Sequence, residues 1–321
     1  MWKRILFIWL GVLVLVFAGV IIFGGPRTPR PMGSITDPFD SVDFSDLPAV
    51  ARFAARDGTQ LAYRSYPSAN TGQGSIVLVH GSSATSSSMH PMAKAFSAAG
   101  FPTYTLDIRG HGASGSKGQI AYIGQLEDDL ADFMHAVSPA QPVTLAGFSS
   151  GGGFAIRFAG SNQQQLFQSY LFLAPFLSPD APTLRPSSGG WSSVGLPRII
   201  AIAVLNGFGV RTFNSLPVLR FAVSENTKSI LTSEYSYSLT MNFGPQRDYL
   251  ANLRNMHQPF RVLVGENDEV YYPDRFAEVL REAGKNSPVV VTPGLDHVQL
   301  ILSPVAFEKS IEAVKNLRSE P

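Results

Sequence analysis

Continuous apolar runs alternate with amphipathic segments along most of the chain from about residue 47 onward. In residues 126–137, for example, Leu126, Leu130 and Phe133 share one helix face. The predicted strands are residues 50–55, 61–66, 76–79, 103–106, 143–146, 170–173, 260–264 and 289–291. Continuous apolar strands that alternate with helices are typical of an α/β fold, in which a mostly parallel sheet has helices on both faces.

This alternation stops between residues 176 and 258, where clusters of Pro, Gly and Ser and several aromatic residues replace it. An interruption of about 80 residues between two strands of one sheet is longer than an ordinary loop. It predicts a cap inserted at about residues 176–258. The segment 199–205 is a helix candidate that is apolar around most of its circumference. Burial within the cap, or contact with a substrate tunnel or a bilayer, would each explain this.

The N-terminus is predicted to be a separate unit. Residues 5–23 are 19 residues without a charge, preceded by Lys3 and Arg4. A helix of this length extends about 28 Å, close to the thickness of a hydrocarbon core. The run is longer than the apolar region of a signal peptide and lacks a cleavage site of small residues. We therefore expect residues 1–25 to form an uncleaved transmembrane anchor.

The flanks of this segment set the expected membrane arrangement. The short tail ahead of it favours a single-pass protein whose main domain lies on the extracytoplasmic side, although the basic residues on the two sides nearly balance. Residues 26–47 contain four prolines among Gly, Ser and Asp, which is typical of a flexible tether. The main domain is then expected over residues 48–321.

Composition narrows the classes of function. The 321 residues are 45% hydrophobic and 15% charged with a formal net charge of +1, which excludes a disordered chain. Because no basic stripe is present, nucleic acid is not an expected partner. The chain has no cysteine, which excludes disulfides, thiolate metal sites and cysteine nucleophiles. We expect no cofactor and no metal.

The stretch Gly147-Phe148-Ser149-Ser150-Gly151 lies between a predicted strand and a predicted helix. A serine at such a turn is held on a tight backbone that leaves no room for side chains two residues away, which explains both glycines. The turn exposes the Ser149 hydroxyl, and the helix N-terminus adds positive potential where an oxyanion would form. The same pattern also arises by chance in glycine-rich turns, so the interpretation depends on partners elsewhere in the chain.

An acid and a histidine follow Ser149 at the carboxyl ends of later strands, where open α/β sheets place their sites. Asp268 follows the penultimate predicted strand, and His297 follows the last one. A serine hydroxyl needs a base to become a nucleophile, and a carboxylate fixes the tautomer of that base and stabilises its charged form. We therefore predict that Ser149, Asp268 and His297 are a catalytic triad.

Other residues compete for two of these roles. Glu266, Asp296 and Asp180 are alternative acids, since each follows a predicted strand or adjoins the histidine. His80 and His111 also lie in glycine-flanked loops, but they precede Ser149 in the chain, which is the wrong order for the base.

An oxyanion hole needs two amide groups that converge on one point. We predict that the amide of Ser150 is one of them. The loop after strand 76–79 would supply the other, with Ser82 as the donor and Gly81 allowing close approach. His80 is expected to hold this loop by hydrogen bonding.

Five motifs in order resemble the monoglyceride lipase/lysophospholipase group of α/β-hydrolases, also described as serine aminopeptidase-like. They are His80-Gly81, Asp107-x-Arg109-Gly110-His111-Gly112-x-Ser114, the Ser149 turn, Gly265-x-x-Asp268-x-Val270 and Asp296-His297. The resemblance extends over roughly residues 51–317. It implies an α/β-hydrolase fold and a serine carboxylester hydrolase with a cap over an acyl-binding pocket. The turn departs from the group at Phe148, at Ser150 and in its three consecutive glycines, and the cap matches no stretch of it, which leaves the substrate open.

The expected function is therefore a membrane-anchored serine hydrolase. It would cleave lipid-type carboxylic esters, such as monoacylglycerol or lysophospholipid, through an acyl-enzyme on Ser149. A catalytically idle scaffold that binds a lipid or a partner protein is the alternative from another class. Thioesterase, amidase and aminopeptidase activities remain open, because acyl-enzyme chemistry does not depend on the leaving group. A serine rather than a carboxylate at position 149 argues against dehalogenase and epoxide hydrolase chemistry.

Overall fold

The computed structural model of the protein describes residues 2–30, 35, 37–69, 72–186, 190–224, 227 and 229–319, with only the backbone described at positions 3, 4, 6 and 10. Its strands are β1 (Ala51–Ala54), β2 (Gln60–Tyr66), β3 (Ser75–Val79), β4 (Thr103–Leu106), β5 (Val143–Phe148), β6 (Ser169–Leu173), β7 (Ser192–Val194), β8 (Pro217–Phe221), β9 (Glu234–Ser236), β10 (Phe260–Gly265) and β11 (Val289–Thr292). Its α-helices are α1 (Trp2–Phe23), α2 (His90–Ala98), α3 (Gln125–Val137), α4 (Ser150–Ala159), α5 (Leu196–Gly207), α6 (Tyr237–Asn242), α7 (Tyr249–Asn255), α8 (Arg275–Glu282) and α9 (Pro304–Ser319).

An eight-stranded sheet in the order β1-β2-β4-β3-β5-β6-β10-β11 organises the molecule. Strand β2 is antiparallel to both of its neighbours. The pairings from β4 across to β11 are parallel. Every residue of β3, β5 and β6 is buried, which explains why these strands are continuous apolar runs rather than alternating ones. The prediction of a mostly parallel α/β sheet is confirmed.

Helices cover this sheet in two groups. Helix α2 contacts α9, and α9 also packs against β6 and β10. In the other group, α4 packs against β5 and contacts α7, which in turn contacts α8. Parallel strands need crossover connections, and the helices that make them bury both faces of the sheet.

A second, three-stranded antiparallel sheet in the order β7-β8-β9 lies in the stretch between β6 and β10. Helix α5 contacts β8, and α6 contacts both β8 and β9. We call this unit, residues 190–242, the cap. A second hydrophobic cluster joins the cap to α1. Its buried residues are Ala201, Ile202, Val218 and Tyr237 of the cap and Ile21 of α1.

The predicted transmembrane anchor is wrong. Residues 5–23 do lie within a helix, α1, but among the described residues no helix is long and apolar enough to cross a membrane. The predictions of a single-pass membrane protein and of a catalytic domain on the extracytoplasmic side depended on this anchor and are also wrong. The C-terminal turns of α1 pack against the protein itself, because Ile21 is buried beside the fully buried Ile202 of the cap.

Arg198 of α5 fixes the C-terminal end of α1. Its Nε donates to the Ile21 carbonyl at 2.7 Å and its Nη2 to the Ile22 carbonyl at 2.8 Å. Its Nη1 donates to the Pro217 carbonyl at 2.7 Å. The last carbonyls of a helix have no partner within the helix and carry partial negative charge, so a guanidinium is a favourable cap. At this end of α1, Ile21 and the partly buried Val20 pack on the cap, whereas Phe23 is exposed.

The predicted tether contacts the protein at both of its ends. The Arg27 amide donates to Ser193 Oγ at 3.1 Å, and Asp46 Oδ1 lies 3.0 Å from His90 Nε2. Residues 31–34 and 36 of this segment lie outside the described residues. A short 3₁₀ helix, Asp37–Ser41, precedes the contact at Asp46.

Candidate active site

The turn between β5 and α4 carries Ser149 in a backbone conformation that non-glycine residues rarely adopt, with φ 54° and ψ −118°. Its flanking glycines are required by close backbone approach. A Cβ at Gly147 would lie 2.3 Å from the Gly151 carbonyl oxygen, and one at Gly151 would lie 2.3 Å from the His80 carbonyl oxygen. The Ser149 amide donates to the Leu173 carbonyl at 2.9 Å, which ties the turn to β6.

Three side chains from separate loops meet at this turn. His297 Nε2 lies 3.1 Å from Ser149 Oγ, and His297 Nδ1 lies 2.8 Å from Asp268 Oδ2. Because an ionised carboxylate only accepts hydrogen bonds, the proton of the neutral imidazole belongs on Nδ1, which leaves Nε2 free to accept from the serine hydroxyl. Ser149 is 8% exposed, His297 4% and Asp268 0%. The pairing is therefore shielded from solvent.

Backbone amides orient the Asp268 carboxylate. Its Oδ1 accepts from the amides of Val270 and Tyr271, both at 2.8 Å, which leaves Oδ2 for the histidine. The Asp268 carbonyl accepts from Arg185 Nε at 3.0 Å. A carboxylate with this many donors is held in one orientation before any substrate arrives.

The alternative acids lie elsewhere. Glu266 Oε2 accepts from the Gly294 amide at 2.9 Å, and Asp296 Oδ1 accepts from the Gln299 amide at 2.8 Å. Asp180 is exposed. Of the four candidate carboxylates, Asp268 is the one that bonds to the His297 ring.

Three residues around His297 escaped the sequence reasoning. Glu269 Oε2 accepts from the His297 amide at 3.0 Å. The rings of Phe148 and Tyr271 lie 4.7 Å and 5.3 Å from the imidazole, measured between centroids. Burial raises the pKa of the Tyr271 phenol, and a hydrogen bond with the Ser149 hydroxyl opposes this shift. Their positions beside Ser149 and Asp268 in the chain were the available signal, but adjacency does not tell which way a side chain points.

The two predicted oxyanion donors lie on either side of this turn. Ser150 is the first residue of α4, and Ser82 belongs to the loop after β3. Within the described part of the chain, neither backbone amide donates a hydrogen bond to another protein group. At Gly81 a Cβ would lie 3.1 Å from the Phe148 ring, so a glycine lets this loop approach the Ser149 turn.

His80 and Asp107 support the loop after β3 from beneath. His80 is fully buried; its Nδ1 lies 2.7 Å from the Gly81 carbonyl, and its Nε2 accepts from the Ile108 amide at 3.3 Å. Burial lowers the pKa of His80. Asp107 Oδ1 accepts from the Ser86 amide at 2.7 Å. Both side chains thus bond to backbone groups of the loops after β3 and β4.

Among the described residues, no group of three or more His, Cys, Asp or Glu side chains is placed to hold a metal ion.

The sheet order, the serine on its strained turn and the Ser-Asp-His chain order together define the α/β-hydrolase fold class. Residues 71–301 match the family described as serine aminopeptidase, S33 (Hydrolase_4), and the chain belongs to that family. The resemblance predicted from the five motifs is thereby confirmed.

A curated relative matches part of the chain. The monoacylglycerol lipase of Mycolicibacterium smegmatis is 32% identical over 112 residues, which are 33% of this chain and 39% of the relative. The match thus spans about two fifths of that relative's length.

Two solved structures share the fold. A soluble variant of monoglyceride lipase from Saccharomyces cerevisiae, in complex with a substrate analogue, superposes with a TM-score of 0.64 at 16% identity and covers 84% of this chain and 96% of that chain. A membrane phospholipase A described as a bacterial virulence factor superposes with a TM-score of 0.60 at 17% identity and covers 100% of each chain. At these identities the likeness establishes the fold alone.

Proposed function

We propose that the protein is a serine hydrolase that cleaves lipid-type carboxylic esters, such as monoacylglycerol or lysophospholipid, through an acyl-enzyme on Ser149. The observation that carries the proposal is the hydrogen-bonded series from Ser149 Oγ to His297 Nε2 at 3.1 Å and from His297 Nδ1 to Asp268 Oδ2 at 2.8 Å. Family membership and the monoacylglycerol lipase relative support the substrate class.

In the acylation step, Ser149 Oγ attacks the carbonyl carbon of the ester while His297 Nε2 takes its proton. The carbonyl electron pair moves to oxygen and forms a tetrahedral oxyanion. Asp268 stabilises the resulting imidazolium through Nδ1. The imidazolium then protonates the leaving alcohol, the C–O bond breaks and the acyl group remains on Ser149.

The amides of Ser82 and Ser150 are the proposed donors to this oxyanion. Donors that are already in place when charge develops need no reorganisation, and removing one such donor typically lowers kcat about 10²–10³-fold. Water then attacks the acyl-enzyme with His297 as the base, which releases the fatty acid and restores the Ser149 hydroxyl.

The direct test compares the wild-type protein with Ser149→Ala on a panel of p-nitrophenyl esters, monoacylglycerols and lysophospholipids. The full chain is used, because α1 packs against the cap. We expect Ser149→Ala to lose at least about 10³-fold in kcat, since the residual rate of a triad mutant comes from binding and the oxyanion hole. Ser161→Ala, which removes the hydroxyl that donates to the Phe158 carbonyl, is the matched control and should retain activity.

Labelling by a fluorophosphonate probe separates an active serine from an idle scaffold. Wild type should be labelled and Ser149→Ala should not. Acyl thioesters and aminoacyl p-nitroanilides complete the panel and identify the leaving group. Turnover by Ser149→Ala near the wild-type rate would refute the assignment of Ser149 as the nucleophile. If the wild-type protein cleaved only the anilides, the substrate would be a peptide-like amide and not an ester.

A further inference from the structure

The cap is bonded directly to the loop that carries the proposed oxyanion donor Ser82. The contact is made by Ser83, the next residue. Its amide donates to Tyr235 Oη at 2.5 Å, and its hydroxyl donates to the Thr232 carbonyl at 2.8 Å. Its carbonyl accepts from the Thr232 amide at 2.8 Å. The amide, the hydroxyl and the carbonyl of Ser83 are therefore all bonded to the cap.

Ser83 needs this support because its backbone is strained. Its φ is 68°, in the left-handed region that favours glycine. A non-glycine residue persists in this conformation only when its surroundings hold it there. The peptide unit between the two residues Ser82 and Ser83 carries the Ser82 carbonyl and the Ser83 N–H, whereas the Ser82 N–H lies in the unit before it. A shift of Ser83 would therefore move the Cα of Ser82, to which the Ser82 amide is attached.

The Tyr235 hydroxyl has a defined proton arrangement. It accepts from the Ser83 amide, and it lies 2.6 Å from His111 Nε2. His111 Nδ1 lies 3.2 Å from the Ile108 carbonyl, which can only accept, so the imidazole proton belongs on Nδ1. The bare Nε2 therefore accepts the Tyr235 proton. Burial lowers the pKa of His111 well below its usual value, which keeps the ring neutral for this role.

The segment that carries Tyr235 is held independently of this hydroxyl. Thr232 Oγ1 donates to the Gly110 carbonyl at 3.1 Å, and the Ser236 amide donates to the Gly118 carbonyl at 2.8 Å. The Tyr235 ring is 2% exposed and packs edge-on against Phe221 with centroids 4.7 Å apart. Removal of the hydroxyl should therefore leave the ring and the segment in place.

We propose that Tyr235 is a positioning residue, which fixes the oxyanion hole by holding Ser83 and hence the position of the adjoining Ser82, whose amide is the donor. The role rests on the proposed function of Ser149. It makes the cap part of the catalytic arrangement and not only a cover over the substrate. Because the oxyanion exists in the transition state and not in the bound ester, the effect belongs to kcat rather than KM.

The test is Tyr235→Phe in the full-length protein. We expect kcat for a p-nitrophenyl ester to fall about 10- to 100-fold, somewhat less than the loss of a whole donor, with KM within about twofold. Affinity for a trifluoromethyl ketone, which forms an oxyanion on the enzyme, should fall in parallel with kcat/KM. Tyr170→Phe is the matched control, because this fully buried hydroxyl donates to the Gln164 carbonyl at 2.7 Å, away from the loop.

A second variant keeps the proposal testable if Tyr235→Phe folds poorly. Ser83→Gly can adopt the positive φ and should therefore fold. It should still lose kcat, because it removes the hydroxyl contact to Thr232 and leaves a backbone that moves readily to other conformations. If both variants keep wild-type kcat and ketone affinity while Ser149→Ala is inactive, Tyr235 is structural and the inference is wrong. If Ser149→Ala is itself active, the proposed function is wrong, and this result is independent of the behaviour of the Tyr235 variant.

Discussion

At the scale of single residues, the backbone around Ser149 matters as much as its hydroxyl. The strained turn, with φ 54°, places Oγ within 3.1 Å of His297 Nε2. Gly147 and Gly151 make the turn possible because each would otherwise place a Cβ 2.3 Å from a carbonyl oxygen. Asp268 then fixes the histidine from the other side. The reactivity we propose for Ser149 thus depends on groups that never touch the substrate.

Two neighbouring carboxylates give a prediction at this scale. Asp268→Asn should lower kcat about 10³–10⁴-fold, because an amide in place of the carboxylate favours the wrong histidine tautomer. Asp296→Asn is the matched control and should stay within about twofold of wild type, since Asp296 caps the Gln299 amide instead of the imidazole. Steady-state kinetics on a p-nitrophenyl ester decide between them. If Asp296→Asn lost more activity than Asp268→Asn, the assignment of Asp268 as the acid of the triad would be wrong.

Among the elements, α1 packs on α5 through its C-terminal turns, which accounts for the apolar residues at that contact, whereas earlier residues of α1 such as Trp9 and Leu15 are exposed. Ile202 is fully buried in the cluster that contains Ile21, so α5 is apolar on this side because α1 and the small sheet cover it. Arg198 caps the carbonyl end of α1. Burial within the protein, one of the two explanations left open by the sequence, accounts for Ile202.

Two isoleucines on α5 test this packing. Ile202→Ala should lower the free energy of unfolding by about 2–5 kcal/mol, because it removes buried methyl groups and leaves a cavity. Ile200 lies on the same helix but is 56% exposed, so Ile200→Ala should change stability by about 0.5 kcal/mol or less. Urea unfolding of the full chain measures both. Equal effects of the two substitutions would contradict the arrangement of α1, α5 and the small sheet.

At the scale of the whole molecule, buried neutral histidines join the sheet, the loops and the cap. The rings of His80 and His111 lie 4.8 Å apart, measured between centroids, and His111 bonds to Tyr235 of the cap. Burial lowers the pKa of both rings, and for His111 the proximity of His80 adds to this. The folded protein thus resists protonation of groups that the unfolded chain protonates readily.

This difference predicts how stability depends on pH. An unfolded histidine binds its proton near pH 6.5, whereas these two bind theirs only at lower pH in the folded state. Below about pH 6.5 the unfolded state therefore holds more protons, and stability falls as the pH decreases until the folded pKa values are reached. Each histidine contributes a slope of at most about 1.4 kcal/mol per pH unit.

Urea unfolding between pH 7.5 and 5.5 measures this slope. His111→Gln should reduce it, and His135→Gln, at an exposed position on α3, should leave it unchanged. The comparison is between slopes, so a general loss of stability in His111→Gln does not affect it. An unchanged slope in His111→Gln would mean that this ring does not resist protonation in the folded protein.

The central sheet, the chain order of the proposed triad and the glycine-flanked turn could all be predicted from the amino-acid sequence. Each depends on a local requirement. Buried parallel strands must be continuously apolar, and the Ser149 turn has no space for Cβ atoms at Gly147 and Gly151. The carboxyl ends of parallel strands lie at one edge of a sheet, so Asp268 and His297 were expected near Ser149 before any distance was known.

Two contacts could be known only from the folded molecule: that of α1 with α5, and that of the cap with the loop after β3. The hydrophobicity of a segment does not specify which surface it contacts. Residues 5–23 predicted a membrane contact throughout, and the contact of Ile21 with the cap could not be read from them. Likewise, Tyr235 bonds to Ser83 across a separation of 152 residues. Neither hydrophobic periodicity nor a local motif can predict this contact, because it forms only when the cap folds onto the loop after β3.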